Sequence, residues 1–268
     1  MDVPETGLVV TRAQVGIAML AVAVAGCASD PAAAPTPPTS ASAAPLARAD
    51  VGPLFPAGVA ALHICSASVV HSPSGNVIVT AAHCVTGKGL GIVFAPGYDK
   101  GMSPYGTWRV TGAYADAAWV QGRDAHVDVA FLTVAPSIGN PRGSVEQLVG
   151  AATLSVAPPD GTRVTATGYA LGLGDSPLHC TAATTTTDGY PTLPCGPLPL
   201  GTSGAPWMAT GADGRPSLVG VSGGLHQGGC TDAMSYSAPF TSTTAALLAR
   251  ASAGGPADTF PARPGDGC

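Results

Sequence analysis

The sequence carries a histidine, an aspartate and a serine whose surroundings suit proton and acyl transfer. His83 closes the run "VIVTAAHCV" (Val77 to Val85), directly after an apolar segment. A lone histidine at a strand end is ordinarily a polar surface residue. As a general base it needs a nucleophile to deprotonate and a carboxylate to orient it. Ser203, in "GTSGAPW" (Gly201 to Trp207), is the candidate nucleophile. Gly201 and Gly204 flank it, and glycines let the backbone turn sharply and approach a substrate carbonyl closely. Asp128 opens the apolar run of "HVDVAFLTV" (His126 to Val134). An acid there is costly if buried without partners and makes sense beside an imidazole. Asp124 is the competing acid, in the polar loop "QGRDAH". Taken singly, each of the three has an ordinary structural reading: a surface His, a Gly-Ser-Pro turn, a solvated strand-entry Asp. Taken together they describe a base-activated hydroxyl that attacks a carbonyl.

Such groups must be held by a rigid frame, and the chain reads as short strands between turns. The runs "ALHICSASVV", "NVIVTAAHC", "GIVFAPG", "TWRVTGAYA", "DVAFLTV", "RVTATGYA" and "SLVGVSGG" are strand-like. "HSPSGN" (His71 to Asn76) supplies a turn between the first two. With 36 Gly and 26 Pro among 268 residues and only 10% charged residues, an all-β domain fits better than a helical bundle. One segment departs: "TSTTAALLARAS" (Thr241 to Ser252) predicts a helix capped by Thr241 or Ser242, with Leu247 and Leu248 on its buried side.

The N-terminal region reads as an address. Arg12 precedes the apolar "AQVGIAMLAVAVAG", which is shorter than the ~20 residues a membrane-spanning helix needs. It fits a signal-peptide core. "VAGC" (Val24 to Cys27) resembles a bacterial lipobox, which implies lipidation of Cys27 and a mature chain starting there. Asp2 and Glu5 suit a signal n-region poorly, so a start near Val9 or Val10 is expected. Residues 28–50 are rich in Pro, Ala, Ser and Thr and predict a disordered tether; at ~3.1 Å per residue it would reach about 70 Å. The expected organisation is a signal peptide over 1–27, the tether over 28–50 and a folded domain over 51–268. The net charge is −5 and there is no Lys/Arg block, which argues against nucleic acid as a partner.

At His83, Asp128 and Ser203, in that order, the chain resembles the chymotrypsin/trypsin-like serine proteases. "TAAHC" looks like their histidine motif, "DVAFL" like their aspartate strand and "GTSGAPW" like their "GDSGGP" serine loop. "TATGYA" (Thr165 to Ala170) and "LVGVSGG" (Leu218 to Gly224) look like two further family strands, so the likeness spans about Val51 to Ala251. It implies an all-β fold of two six-stranded antiparallel β-barrels, here with a C-terminal helix. It also implies peptide-bond hydrolysis through an acyl-enzyme, with the backbone N–H groups of Gly201 and Ser203 holding the oxyanion. Two departures resemble the bacterial glutamyl-endopeptidase branch. Thr202 stands where animal digestive enzymes carry Asp, and "DVGPLF" (Asp50 to Phe55) replaces the "IVGG"-like start. Both argue against activation by insertion of a new N-terminus.

With Cys27 set aside for lipid, six cysteines remain, an even number that in an exported chain suggests disulfides. The resemblance pairs Cys65 with Cys84. Cys180 and Cys195 flank the loop before the serine and form the next expected pair. Cys230 and Cys268 remain, with Cys195–Cys230 as the rival pairing. By position, Pro197, Leu198 and Leu200 and then Ser222, Gly223 and Gly224 should line the primary pocket, an apolar one. His226 lies near the expected cleft. No metal or cofactor motif is present: the histidines lack HExxH-type spacing. The expected protein is therefore an exported monomeric endopeptidase, lipid-anchored at the cell surface or, with a plain signal peptide cut nearby, secreted, acting on proteins or peptides. The alternatives are a non-catalytic binding lipoprotein on the same fold and an esterase, although a lipase-type GxSxG is absent.

Overall fold

A computed structural model describes residues 48–139, 143–172, 174–196, 198–211, 213–229 and 233–262. The first half is a closed antiparallel barrel. Its strands are β1 (Val51–Phe55), β2 (Cys65–Val69), β3 (Val77–Thr80), β4 (Val93–Phe94), β5 (Trp108–Ala115) and β6 (Ala130–Pro136), in the order β1-β2-β3-β6-β5-β4. The β-branched run of β3 is buried at every position. Leu54, Ile78, Phe94, Trp108 and Leu132 fill the interior. Gly52 is needed for closure, because a Cβ there would lie 2.1 Å from the carbonyl oxygen of Ala95. Residues ahead of β1 also make contacts: the carbonyl of Asp50 accepts from Val69 N, and Arg48 pairs with the Asp50 carboxylate at 2.7 Å.

The register of β3 on β6 decides where the chemistry sits. Thr80 lies opposite Ala130 in this antiparallel pair. The residues just after β3 and just before β6 therefore emerge at the same end of the barrel. Those residues include His83 and Asp128.

The second half contains β7 (Thr153–Leu154), β8 (Arg163–Gly168), β9 (Leu178–Ala183), β10 (Thr185–Thr187), β11 (Tyr190–Leu193), β12 (Pro206–Thr210), β13 (Pro216–Val221) and β14 (Ser235–Tyr236). These strands form a five-stranded sheet, β7-β13-β12-β8-β9, and a three-stranded sheet, β10-β11-β14. The expected second six-stranded barrel is thus drawn as two sheets. They are joined where β13 runs on past β14, by the bridge of Ser222 to Ser237 and bonds from Val221 N to Ser237 Oγ and Gly223 N to Tyr236 O, and by the chain itself at Thr184, between β9 and β10. Thr184 interrupts the ladder by turning its N–H to Thr162 O and its hydroxyl to Pro159 O. Val164, Leu193, Trp207 and Val219 form the core of this half. A further cluster contains Val79 and Phe131 from the first half with Met208, Leu218 and Val221 from the second, so the two halves share a core.

Among the described residues α-helices are few: α1 (Ala117–Gly122), α2 (Val145–Val149), a kinked turn α3 (His226–Gly229) and the C-terminal α4 (Ser242–Ser252). The last matches the sequence expectation. Thr241 is its N-cap, accepting from Thr243 N, and Leu247 and Ala251 are buried in the shared core.

Candidate active site

His83 lies in a 3-10 turn, Ala82–Cys84, that follows β3 directly. Its Nδ1–H donates to Asp128 Oδ2 at 2.7 Å, and its backbone N–H donates to Asp128 Oδ1 at 2.9 Å. Both oxygens of one carboxylate thus grip one residue. Gly224 N adds a third bond to Oδ2 at 2.8 Å. Asp128 is 1% exposed. Burial pushes its carboxyl up, but the charge and hydrogen bond of His83 together with the Gly224 and His83 amides outweigh this and hold it below the usual carboxylate value. Because Nδ1 carries the shared proton, the neutral ring presents a lone pair on Nε2. The competing acid, Asp124, lies elsewhere. It caps the turn Ala125–Val127 by accepting from His126 N, and His126 stacks on Tyr190 with ring centroids 4.4 Å apart.

The Ser203 loop is held from beneath by the first barrel. Ser66, buried in β2, donates its N–H to Ser203 O at 2.7 Å and its hydroxyl to Gly201 O at 3.1 Å. The same Oγ accepts from Tyr169 N at 2.9 Å. Gly204, at φ +79°, lets the loop lie on the end of β3: a Cβ there would be 2.1 Å from Thr80 Oγ1 and 2.2 Å from Ser66 O. Gly204, next to Ser203, is thereby brought against the end of β3, three residues before His83. Among the described residues, no hydrogen bond joins Ser203 Oγ to His83, whose ring bonds to Asp128. Such contacts are often long in the absence of substrate and tighten once it is bound.

The amides of this loop alternate in use. Thr202 N donates to Pro199 O and Gly204 N to Ser222 O. Among the described residues, the N–H groups of Gly201 and Ser203 donate to no protein acceptor. Thr202 Oγ1 donates to Pro199 O at 2.7 Å, so its side chain is used within the loop.

Of the expected pocket residues, Pro197 lies outside the described residues. Leu198 packs partly buried against the second-half core, and Leu200 is 69% exposed. Ser222, Gly223 and Gly224 are buried. Their polar groups are used internally: Ser222 Oγ accepts from Trp207 Nε1, Gly223 N donates to Tyr236 O and Gly224 N reaches Asp128. His226, in α3, has φ +47° and meets Tyr236 edge to face.

Among the described residues two disulfides are formed, Cys65–Cys84 and Cys180–Cys195. The first joins β2 to the His83 turn. Cys27, Cys230 and Cys268 lie outside the described residues. Among the described residues, the one grouping with metal-ligand geometry is Cys65, His83 and Cys84. Its two sulfurs are bonded to each other, so neither is a thiolate that could take a metal. Ser66 was not singled out by sequence, because nothing local in "HICSASVV" signals contacts to residues 169, 201 and 203.

Comparison with known proteins bears on the frame more than on the chemistry. No family model matches the chain. A 98-residue stretch is 32% identical to the extracellular metalloprotease of Bacillus subtilis (strain 168); it covers 35% of this chain and 30% of that protein. The match thus spans less than a third of that relative's length. Solved structures align over far more. The protease Anisep from Arthrobacter nicotinovorans is 22% identical, over 78% of this chain and 97% of its own, at TM-score 0.64. A thermostable serine protease, AL20, from an extremophilic microorganism is 26% identical, over 78% and 99%, also at 0.64. A Glu endopeptidase is 17% identical, over 77% and 91%, at 0.59.

Proposed function

We propose that this chain, which has the fold of the bacterial chymotrypsin-like serine proteases, is itself a serine endopeptidase. The carrying observation is the two-oxygen grip of Asp128 on His83 at the barrel end that receives the Ser203 loop. In this reading Asp128 fixes the imidazole tautomer and stabilises the imidazolium. His83 Nε2 takes the proton of Ser203 Oγ as that oxygen attacks the scissile carbonyl, then passes it to the leaving amine. The carbonyl oxygen gains negative charge in the tetrahedral intermediate. The amides of Gly201 and Ser203 are the donors for it; one such donor is worth roughly 2.7–4 kcal/mol in other enzymes. Water then repeats the attack on the acyl-enzyme.

The decisive experiment is labelling with a fluorophosphonate probe followed by peptide mapping. Ser203 should be the modified residue, and Ser203→Ala should abolish both labelling and peptide hydrolysis while the fold persists. A Ser203→Ala protein with near-wild-type turnover would sink the assignment.

A second reading, a non-catalytic binding protein on this fold, draws on the internal bonding of Gly223 and Gly224 and on the unmade Ser203–His83 bond. An unlabelled wild-type protein would favour it. Export and lipid attachment at Cys27 complete the proposal. Among the described residues no helix is long and apolar enough to cross a membrane. Mass spectrometry of the mature N-terminus tests the anchor: an unmodified N-terminus beyond residue 27 would exclude it.

A further inference from the structure

A second histidine–carboxylate pair lies outside the proposed triad. His63, in the β1–β2 connection, is 0% exposed, and its Nε2–H donates to Asp175 Oδ1 at 2.6 Å. Asp175 belongs to the connection between β8 and β9, 112 residues away. The rings of Phe55, Tyr98 and Tyr169 surround His63 edge-on, with centroids 5.4 to 6.0 Å away. His63 Nδ1 and Asp175 Oδ2 are buried and lack partners. Folded proteins rarely bury polar atoms this way, and such a group calls for a reason.

The reason lies in what the Asp175 connection touches at its other end. Around Asp175 it is fastened to the first barrel: His63 N donates to Gly172 O, Lys100 N to Asp175 O, and Gly174 N to Tyr98 Oη. Directly before Gly172, Leu171 N donates to Leu200 O at 2.5 Å. Gly201 follows at once, at φ +94°, and is so close that a Cβ on it would lie 2.2 Å from Leu171 N. The contacts therefore run from His63, whose ring holds Asp175 and whose N–H holds Gly172, through the adjoining Leu171 to Leu200 and Gly201.

We infer that His63 and Asp175 are a positioning pair for the nucleophile loop: the buried bond holds Leu171 against Leu200 and so sets the direction of the Gly201 amide. Ser66 fixes the loop from below through the Gly201 and Ser203 carbonyls; this pair fixes it from the side. The inference rests on the hydrolase reading for its catalytic consequence, but its structural half stands on its own.

The test uses Asp175→Asn, which keeps the shape and an acceptor but removes the charge, and His63→Phe, which suits the aromatic surroundings should the first variant fold poorly. Three quantities are read: kcat and KM on a peptide, near-UV circular dichroism, and hydrogen exchange at the Leu171 amide. The expected result is a fall in kcat of roughly ten- to a hundredfold with KM within about twofold. Circular dichroism should be native-like and the Leu171 amide should exchange faster. Unchanged kcat with unchanged exchange overturns the inference, and so does a rise in KM at constant kcat. Should the wild type neither label nor hydrolyse, the proposed function falls, and Leu171 exchange alone decides the pair: faster exchange in the variants upholds the coupling, unchanged exchange removes it.

Discussion

Ser66 has neither charge nor special reactivity, yet removing its Oγ would leave Tyr169's buried N–H without an acceptor and Gly201 O without one of its donors. Leaving such a group unpaired costs about 1–3 kcal/mol. Ser66→Ala should therefore lower stability in urea by that amount and slow fluorophosphonate labelling, because the loop that carries Ser203 loses one of its two ties to β2. Gly204→Ala should be harsher. The new Cβ meets Thr80 Oγ1 and Ser66 O, and the left-handed backbone resists any side chain. Loss of labelling is expected, and retention would show that the loop can lie elsewhere. The candidates His83, Asp128 and Ser203 could be picked out in sequence only as a set, since each alone has an ordinary structural reading; of the set, His83 and Asp128 are joined directly by a hydrogen bond. Ser66, His63 and Asp175 were not legible there, since a buried small hydroxyl or a distant acid has meaning only once the chain has folded across more than a hundred residues.

At the level of elements, the pairing of Thr80 with Ala130 carries the site. A slip of one residue would send every side chain of β3 to the opposite face. The strands that do this work were readable because their buried runs are apolar and β-branched. Strands β9 and β10 were not: "LHCTAA" and "TTT" are mostly exposed, with Thr in place of a hydrophobic alternation. The helix was readable from its cap. Thr241→Ala should cost about 1 kcal/mol, seen as a lowered thermal midpoint, because the hydroxyl accepts from Thr243 N. Activity should persist, since α4 packs on the shared core and not on the His83 turn.

For the whole molecule, acid is the informative variable. Asp128 is held below its usual value as described above. Asp258 is too: burial raises it, but the hydrogen bond from Arg250, the Ala115 amide and the Arg250 charge prevail. A carboxyl depressed in the folded state contributes stability that is complete above its unfolded pKa and is lost as pH falls through the folded one. Thermal midpoints should hold steady from neutral pH down to about pH 5 and fall below about pH 4. Asp258→Asn should remove part of that fall, and an unchanged profile would mean that Asp258 does not contribute. Extra residues ahead of Asp50 should leave activity intact, because Thr202 offers no charge to a buried ammonium and bonds instead to Pro199. Activity that appeared only after trimming to one specific N-terminus would reverse this. The proposed pocket, with Leu198 and Leu200 on its wall, predicts cleavage after uncharged apolar residues, since an apolar wall cannot compensate a desolvated guanidinium or carboxylate. A peptide-mixture digest read by mass spectrometry checks it, and dominant cleavage after Arg, Lys or Glu would refute it.

The bond between Cys65 and Cys84 gives the molecule a sense of place. His83 sits beside one of its sulfurs, and the other belongs to the strand that carries Ser66. In a thiol-rich cytosol this bond does not persist, and oxidising surroundings are needed to keep it. Under reducing conditions the His83 turn would then lose its tie to β2. Under the proposed export and hydrolysis, oxidation outside the cell would complete the site. Mild reduction of the purified protein should silence hydrolysis before tryptophan fluorescence reports global unfolding, and reoxidation should restore it. Loss of both signals in step would show that the bond guards the whole fold and not the timing of its chemistry.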